Sequence, residues 1–250
     1  MIEIVSPENR IIKHIRKLSG HAYRAKCGET VLEGERSVND SVAYGARLET
    51  VLVRRSYSGQ IPPCDRVCQV TDEIFDSLAE TKTPQGILAT CKVEYKETES
   101  FAKGGLLIVC DRIQDPGNLG TIFRTAHAVG ADGIILIKGC TDPFAPKTVR
   151  ASMGSVFALP AASVEKFSKP GGYTAFCGTL SEKSISLYDA AFPKQTVIVL
   201  GNEANGASAE ILESVEKHIL IPMPGGAESL NVAAAGAVMM YEYYRQVQYV

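Results

Sequence analysis

Residues 106–138 decide the fold, and they read LLIVCDRIQDPGNLGTIFRTAHAVGADGIILIK. An apolar run ends at Asp111, a Pro-Gly turn follows, and a second apolar run, GIILIK, closes the stretch at 133–138. The residues between them, 119–129, have a helical pattern. Apolar runs without alternating polar residues are typical of strands buried on both faces of a parallel sheet. The stretch therefore predicts a strand–helix–strand unit with parallel strands.

The same alternation continues to the end of the chain. Further strands are predicted at VFALP (156–160), YTAFCGTL (173–180), VIVLGNE (197–203) and ILIPM (219–223). Further helices are predicted at 145–153, 163–168 and 208–216. Strands that alternate with helices predict a doubly wound α/β fold.

The first third of the chain predicts a smaller α/β unit. Its helices are expected at 8–18, 37–46 and 72–80, and its strands at 30–35, 51–55, 67–70 and 87–93. Residues 94–104, EYKETESFAKG, are polar and suit a linker. We therefore predict two domains, 1–96 and 97–250.

Composition limits the function without naming it. The chain has 250 residues, a net charge of −2 and seven cysteines, an odd number that does not suit a disulfide framework. Cys64 and Cys68 lack the partners of a zinc set, and the four histidines show no metal spacing, so no metal is expected. No signal peptide or membrane span is expected either, which favours a cytoplasmic protein.

One local stretch departs from the acidic average. Between Arg10 and Lys26 there are six Lys or Arg residues and no Asp or Glu. Such a run is either a solvated helix face or a surface that contacts phosphates. Lys13, Lys17 and Arg24 are the candidate RNA contacts.

Polar and glycine-rich segments follow three predicted strands, where ligands of parallel sheets bind. The first contains the N-x-G-x-I-x-R pattern of Asn118–Arg124, in which Asn118 could instead cap a helix and Arg124 could belong to a solvent-facing stripe. The second is GNEANG (201–206), in which Glu203 either favours a helix dipole or orients a ligand. The third runs through residues 221–237, where Ser229 could be an N-cap and the small residues could serve tight packing. No G-x-G-x-x-G or phosphate-loop pattern is present, which disfavours a nicotinamide enzyme or a nucleoside triphosphatase.

In order and spacing, the three segments resemble the SpoU/TrmH family of RNA ribose methyltransferases in the SPOUT superfamily. The matching stretches are NLGTIFRTAHAVGADGIIL, VIVLGNEANGAS and ILIPMPGGAESLNVAAAGAVMMYE. Residues 9–38, around EGER, are similar to that family's substrate-binding domain.

The resemblance implies a SPOUT-type parallel sheet with a deep trefoil knot, after a small ribosomal-protein-like domain. It implies a homodimer that methylates a ribose 2′-hydroxyl, most readily in 23S ribosomal RNA. S-adenosyl-L-methionine would be the methyl donor and S-adenosyl-L-homocysteine the product. The alternatives are a transfer RNA 2′-O-methyltransferase, another methyl acceptor such as a base nitrogen, or a non-catalytic ribosomal-RNA-binding protein.

The family pattern also assigns the site residues. The implied catalytic residues are Arg124, Asn118, Glu203, Ser229 and Asn231. The implied cofactor contacts are Thr179, Leu180, Gly201, Asn202, Glu203, Gly206, Ile221, Pro222, Met223, Ser229 and Leu230. Arginine is a poor general base because it stays protonated. Arg124 would therefore grip an RNA phosphate, unless the site lowers its pKa strongly.

Overall fold

The computed structural model describes residues 1–249 and divides into two compact units. The first unit comprises Met1–Glu94 and Asp142–Ala158, and the second comprises Tyr95–Thr141 with the residues from Leu159 onward. The first break lies two residues from the predicted boundary at 96/97. Residues 142–158 group with the first unit because they pack on its β-sheet. A prediction that cuts the chain at a single point, as at 96/97, could not have assigned them to that unit.

The first unit is built on a five-stranded mixed sheet. Its elements are β1 (Ile2–Ile4), α1 (Arg10–Lys17), α2 (His21–Cys27), β2 (Glu29–Glu33), α3 (Glu35–Ala43), β3 (Leu48–Arg54), β4 (Val67–Val70), α4 (Asp72–Asp76) and β5 (Ile87–Lys92). The strand order is β1-β4-β3-β5-β2. Strand β4 pairs in parallel with β1 and β3, whereas β5 pairs antiparallel with β3 and β2.

Two short helices from the separate stretch Asp142–Ala158 complete this unit. They are α6 (Pro146–Ser152) and α7 (Ser155–Ala158), and α6 packs on β2. The Thr30 hydroxyl of β2 donates to the Phe144 carbonyl at 2.5 Å. This contact fixes the 142–158 segment to the edge of the sheet.

The second unit is built on a seven-stranded, entirely parallel sheet. Its elements are β6 (Leu106–Asp111), α5 (Pro116–Ala128), β7 (Gly133–Ile137), β8 (Ala161–Val164), β9 (Thr174–Gly178), β10 (Ile185–Ser186), β11 (Thr196–Leu200), α8 (Ala209–Ser214), β12 (Lys217–Leu220) and α9 (Val232–Val247). The strand order is β10-β12-β9-β11-β6-β7-β8. Every residue of β6, β7 and β11 is buried. The predicted α/β class and parallel sheet are thus confirmed.

Two secondary-structure predictions around residue 160 are wrong. VFALP was expected as a strand and 163–168 as a helix, but Ser155–Ala158 form α7 and Ala161–Val164 form β8. Pro160 explains the shift, since it has no N–H to donate to a β-ladder. Its carbonyl still accepts from Ile134 N–H at 3.0 Å, and the strand starts at the next residue.

The predicted linker carries a core residue. Phe101 is 2% exposed and packs in the hydrophobic core of the second unit. Its ring occupies the space beside Gly133 that a Cβ there would need. One apolar residue in a polar stretch is a weak signal, but here it anchors the start of the second unit.

Arg24 is buried in the first unit, contrary to its predicted place on an exposed phosphate-contacting surface. It lies in α2, is 5% exposed, and donates from Nε and Nη2 to Asp142 Oδ2 at 3.0 and 2.7 Å. Its Nη1 donates to the Leu18 and Ser19 carbonyls at 2.8 and 2.7 Å. The guanidinium is therefore part of the first unit's interior, and the phosphate assignment for Arg24 is wrong.

Three further chemical features of residues 1–249 bear on the sequence predictions. All seven cysteines are free thiols. Across these residues, no group of three or more His, Cys, Asp or Glu side chains is placed to hold a metal. No helix in the described part of the chain has the length and apolar character of a membrane span.

We expect Arg24→Ala to lower the free energy of unfolding by about 3–5 kcal/mol, because it leaves the nearly buried Asp142 carboxylate without its partner. Urea unfolding followed by circular dichroism measures this. The control is Arg55→Ala, which removes an exposed ion pair with Glu3 and should cost less than about 1 kcal/mol. Equal losses for the two variants would contradict the structural role of Arg24.

Candidate active site

The polar segments of the second unit meet where β9, β11 and β12 end. Strand β11 pairs in parallel with β9 on one side and β6 on the other, and β12 pairs with the far side of β9. All four strands point the same way, so the loops that follow them emerge at one edge of the sheet. This is the edge at which ligands bind in open parallel sheets.

A cavity of about 550 Å³ lies at this edge. It is lined by Gly178, Thr179, Leu180, Val199, Leu200, Gly201, Asn202, Glu203, Ala204, Gly206, Ile219, Leu220, Ile221, Met223, Glu228, Ser229, Leu230, Asn231, Val232, Ala235 and Met239. Every predicted cofactor contact is among them except Pro222. Its volume is in the range of sites that hold a whole small-molecule ligand.

The electrostatics of the lining restrict the ligand. Among the described residues of the lining, Glu203 and Glu228 are charged, and none is Lys, Arg or His. A wall with carboxylates and without cations suits a positively charged ligand and disfavours a polyphosphate. Burial raises the pKa of Cys177, at the end of β9, to about 12, so this neighbouring thiol stays protonated.

The turn after β11 closes on itself. Asn202 N–H donates to the Gly206 carbonyl at 3.0 Å, and Gly206 N–H donates to the Asn202 carbonyl at 2.9 Å. The Asn202 Oδ1 atom accepts from the N–H groups of Ala204 and Asn205 at 3.0 and 3.1 Å. Gly206 has a φ of +66°, which a side chain would strain. These bonds give a compact turn whose backbone forms one wall of the cavity.

Two glycines permit close packing around this wall. A Cβ at Gly201 would overlap the backbone of Ala207, so the turn can only fold back on β11 if residue 201 lacks a side chain. A Cβ at Gly236 would lie 2.8 Å from Leu200 Cδ1. The small residues of α9 therefore do serve tight packing on β11, one of the two interpretations left open for that helix.

Helix α9 is capped by Asn231 and not by Ser229. The Asn231 Oδ1 atom accepts from Ala233 and Ala234 N–H at 2.9 and 3.3 Å. Ser229 is exposed and lines the cavity two residues earlier. The N-cap interpretation of Ser229 is therefore wrong, and its hydroxyl is available to a ligand.

Asn118 links the first segment to the other two. Its Nδ2 donates to Glu203 Oε1 at 3.0 Å, and its Oδ1 accepts from Asn231 Nδ2 at 2.9 Å. The cap of α5 is Asp115, whose Oδ1 accepts from Asn118 N–H at 2.8 Å. The helix-capping interpretation of Asn118 is therefore wrong, because its side chain joins the β11 turn to the start of α9.

Arg124 lies apart from this network. It is exposed on α5, does not line the cavity, and makes no hydrogen bond or ion pair with residues 1–249. It is six residues from Asn118, or about 9 Å along the helix axis. Its guanidinium is free to contact a partner from outside the unit.

Sequence reasoning missed two charged residues behind the β11 turn. Asp111 ends β6 with 1% of its surface exposed, and Arg112 follows it in a left-handed conformation. An aspartate at the end of an otherwise apolar strand could have marked Asp111 as a special position. Its bond to Ser208, 97 residues later in the chain, could not be predicted from the sequence.

Comparison with known proteins identifies the family. The model of the SpoU rRNA Methylase family matches residues 105–241, more than half of the chain. The chain belongs to this family. The MRM3-like substrate binding domain matches residues 9–89, within the first unit.

Similar proteins match over nearly the whole chain. An uncharacterized tRNA/rRNA methyltransferase of Synechocystis is 33% identical, covering 97% of this chain and 93% of that protein. The 23S rRNA (guanosine(2553)-2′-O)-methyltransferase RlmP of Bacillus subtilis is 31% identical, covering 96% and 98%. An AdoMet-bound rRNA methyltransferase from Sinorhizobium meliloti has a TM-score of 0.85 at 31% identity, with 98% of each chain covered. The predictions of a SpoU/TrmH-type fold, an RNA methyltransferase and S-adenosylmethionine as cofactor are confirmed.

We expect Asn118→Ala to reduce the rate of methyl transfer at least tenfold, roughly the effect of a misplaced active-site loop. The fold should lose less than about 1 kcal/mol, because Asp115 still caps α5. Asn118→Asp should be at least as slow, since it sets a carboxylate against Glu203. Single-turnover assays with thermal unfolding test both. Thr121→Ala, one turn along α5, is the control and should keep its rate; full activity of Asn118→Asp would contradict the bridging role.

Proposed function

We propose that this chain transfers the methyl group of S-adenosylmethionine to a ribose 2′-hydroxyl of large-subunit ribosomal RNA. The observation that carries the proposal is the cavity at the ends of β9, β11 and β12, tied to Asn118 through Glu203 and Asn231. RlmP, named for this reaction on 23S rRNA, aligns over almost its full length and so supports the acceptor.

The cavity fits the cofactor on its own chemistry. S-adenosylmethionine, when bound, supplies a methyl group on a positively charged sulfur. Glu203 and Glu228 give the wall the opposite charge, while Ile221, Met223 and Leu230 offer apolar surface for a flat adenine. The closed turn at 201–206 presents backbone groups that can hydrogen-bond a base edge.

The proposed roles of the polar residues follow from their bonds. Asn118 donates to Glu203, Asn231 donates to Asn118, and Glu203 and Ser229 line the same cavity. These groups would orient the ribose and hold the acceptor oxygen in line with the methyl group. None of them needs to change charge during the reaction.

Arg124 is proposed to grip a phosphate of the RNA. A guanidinium matches phosphate geometry with two parallel hydrogen bonds, whereas it gives up a proton poorly. Its exposure and its lack of an internal partner support a role towards an external anion. The phosphate held in this way could take up the proton of the 2′-hydroxyl.

Transfer RNA is the second candidate substrate. The Synechocystis relative carries both substrates in its name. The match of residues 9–89 to a substrate binding domain of the MRM3 type favours ribosomal RNA, since that domain is named after an rRNA methyltransferase group.

Four further features belong to the proposal. We place the protein in the cytoplasm with its RNA, divide it functionally at residues 96/97, and give the second unit the trefoil knot of its family. We also expect a homodimer, because Tyr188 and Tyr241 of that unit are large aromatic side chains that are exposed in the single chain and lie outside the cavity lining.

The function is tested by mapping 2′-O-methyl groups on ribosomal and transfer RNA from cells with and without the gene. One large-subunit ribose should lose its methyl group and regain it when the wild-type gene returns. Complementation with Arg124→Ala should fail although the purified variant binds S-adenosylmethionine normally by isothermal titration. An unchanged ribosomal RNA map together with a lost transfer RNA mark would establish the second candidate instead.

The basic face of α1 is the proposed RNA contact of the first unit. Lys13 and Lys17 are both exposed, although Lys13 pairs with exposed Glu8 at 2.6 Å and Lys17 Nζ lies 5.7 Å from the Tyr23 ring centroid. With Arg24 internal, these two lysines carry what remains of the predicted phosphate surface.

We expect Lys13→Glu/Lys17→Glu to weaken RNA binding and to lower the slope of log affinity against log salt by about 1–2. The matched control is Arg55→Glu/Arg66→Glu, which makes the same charge change at two exposed cations of the same unit outside α1. Filter binding at several salt concentrations gives both slopes. Identical slopes for the two double variants would mean that the α1 face is merely solvated.

A further inference from the structure

Arg112 holds an unfavourable backbone conformation next to the cavity. Its φ is +57°, and among residues 1–249 the only other non-glycine residue with positive φ is Met153 at +49°. A non-glycine residue in this region is strained and persists only when its surroundings hold it there. Met153 has this conformation because it is the C-cap of α6. Arg112 is not at a helix end, so its positive φ has a different cause.

A buried carboxylate holds the Arg112 side chain. Arg112 Nε and Nη2 donate to the two oxygens of Asp111 at 2.9 and 3.3 Å. The Asp111 carboxylate, 1% exposed, also accepts from Ser208 N–H at 2.6 Å. Asp111 thus ties Arg112 to the chain segment that follows the β11 turn.

The loop after β7 leaves room for this arrangement. Gly139 has a φ of +101°, and a Cβ there would lie 3.0 Å from Arg112 Cγ. A side chain at residue 139 would therefore be strained by the left-handed backbone. It would also crowd the aliphatic part of Arg112, which packs against Gly139.

Arg112 bonds to both ends of the turn that forms the cavity wall. Its carbonyl accepts from Asn202 Nδ2 at 2.8 Å, and its Nη2 lies 3.5 Å from the Gly206 carbonyl as donor. Asn202 and Gly206 are the two residues whose backbones close the turn. Both line the cavity, and Arg112 does not.

We propose that Arg112 is a positioning residue for methyl transfer, which acts through the 201–206 turn to preorganise the cofactor wall. The inference rests on the proposed function, because it takes this cavity as the S-adenosylmethionine site. A wall fixed before the ligand arrives loses less entropy on binding, so its effect lies on cofactor affinity. Once cofactor is saturating, the chemistry should change little.

The test compares Arg112→Gly and Arg112→Lys in the full chain by isothermal titration with S-adenosylmethionine. Glycine accepts the left-handed backbone, so the carbonyl bond to Asn202 can persist while the whole Arg112 side chain is removed. We expect the Kd to rise about tenfold for glycine and about threefold for lysine, which keeps the charge beside Asp111 but has a single nitrogen in place of the guanidinium fork. For both variants kcat at saturating cofactor should stay within about threefold of wild type.

Arg245→Ala is the matched control. Arg245 pairs with Glu242, 8% exposed by side chain, at 2.7 Å near the far end of α9. Loss of this pair should lower the melting temperature without changing the Kd for S-adenosylmethionine. Thermal unfolding of all three variants separates loss of stability from loss of affinity, and the lysine variant retains an ion pair if the glycine variant unfolds.

Each possible result of these measurements either overturns or supports the inference. Wild-type affinity in both Arg112 variants overturns the inference, as does a raised KM for RNA with an unchanged Kd for cofactor, which would make Arg112 an RNA contact. If the wild-type chain itself does not bind S-adenosylmethionine, the proposed function fails and the inference with it. Reduced affinity for glycine, partial rescue by lysine and normal affinity of Arg245→Ala support it.

Discussion

The parallel pairing of β11 with β6 on one side and β9 on the other is the constraint on which the site depends. It brings together segments that are more than 80 residues apart in the chain, since β6 ends at Asp111 and β11 at Leu200. Strand β11 is buried throughout, so its register is set by apolar packing on both faces. A slip of one residue would turn the side chains of β11 to the opposite face and move the 201–206 turn away from Asn118.

A short chain of polar side chains then converts this shared edge into one site. Glu203, Asn118 and Asn231 are linked by hydrogen bonds of 3.0 and 2.9 Å, and Asn231 also caps α9. Each bond contributes only about 1 kcal/mol net. Their value lies in geometry, because three segments from different strand ends can no longer move independently. The same residues therefore serve both the fold and the proposed chemistry.

Much of this arrangement can be predicted from the amino-acid sequence alone. The buried strands β6, β7 and β11 were visible as unbroken apolar runs, and the glycine-rich segments after β11 and β12 marked the cavity. Failures came where a distant contact outweighs the local pattern. The strand predicted at 156–160 instead begins at Ala161, because Pro160 has no N–H to donate to a β-ladder. Phe101 is buried in the core although the composition of residues 94–104 suits a linker. Asn118 looked like a cap because it begins a helical pattern, yet Asp115 takes that place three residues earlier.

Three arginines show why residue type alone could not assign the site. Arg24 lies in a basic run, but all three of its guanidinium nitrogens donate inside the first unit, so the residue stabilises the fold. Arg112 is partly exposed and donates both to Asp111 and to Gly206 of the 201–206 turn, which suits the proposed positioning role. Arg124 has no partner among residues 1–249 and is the one of the three whose full charge is presented outward. The number of guanidinium donors that are already satisfied decides whether each arginine stabilises the fold, positions a loop or binds a ligand.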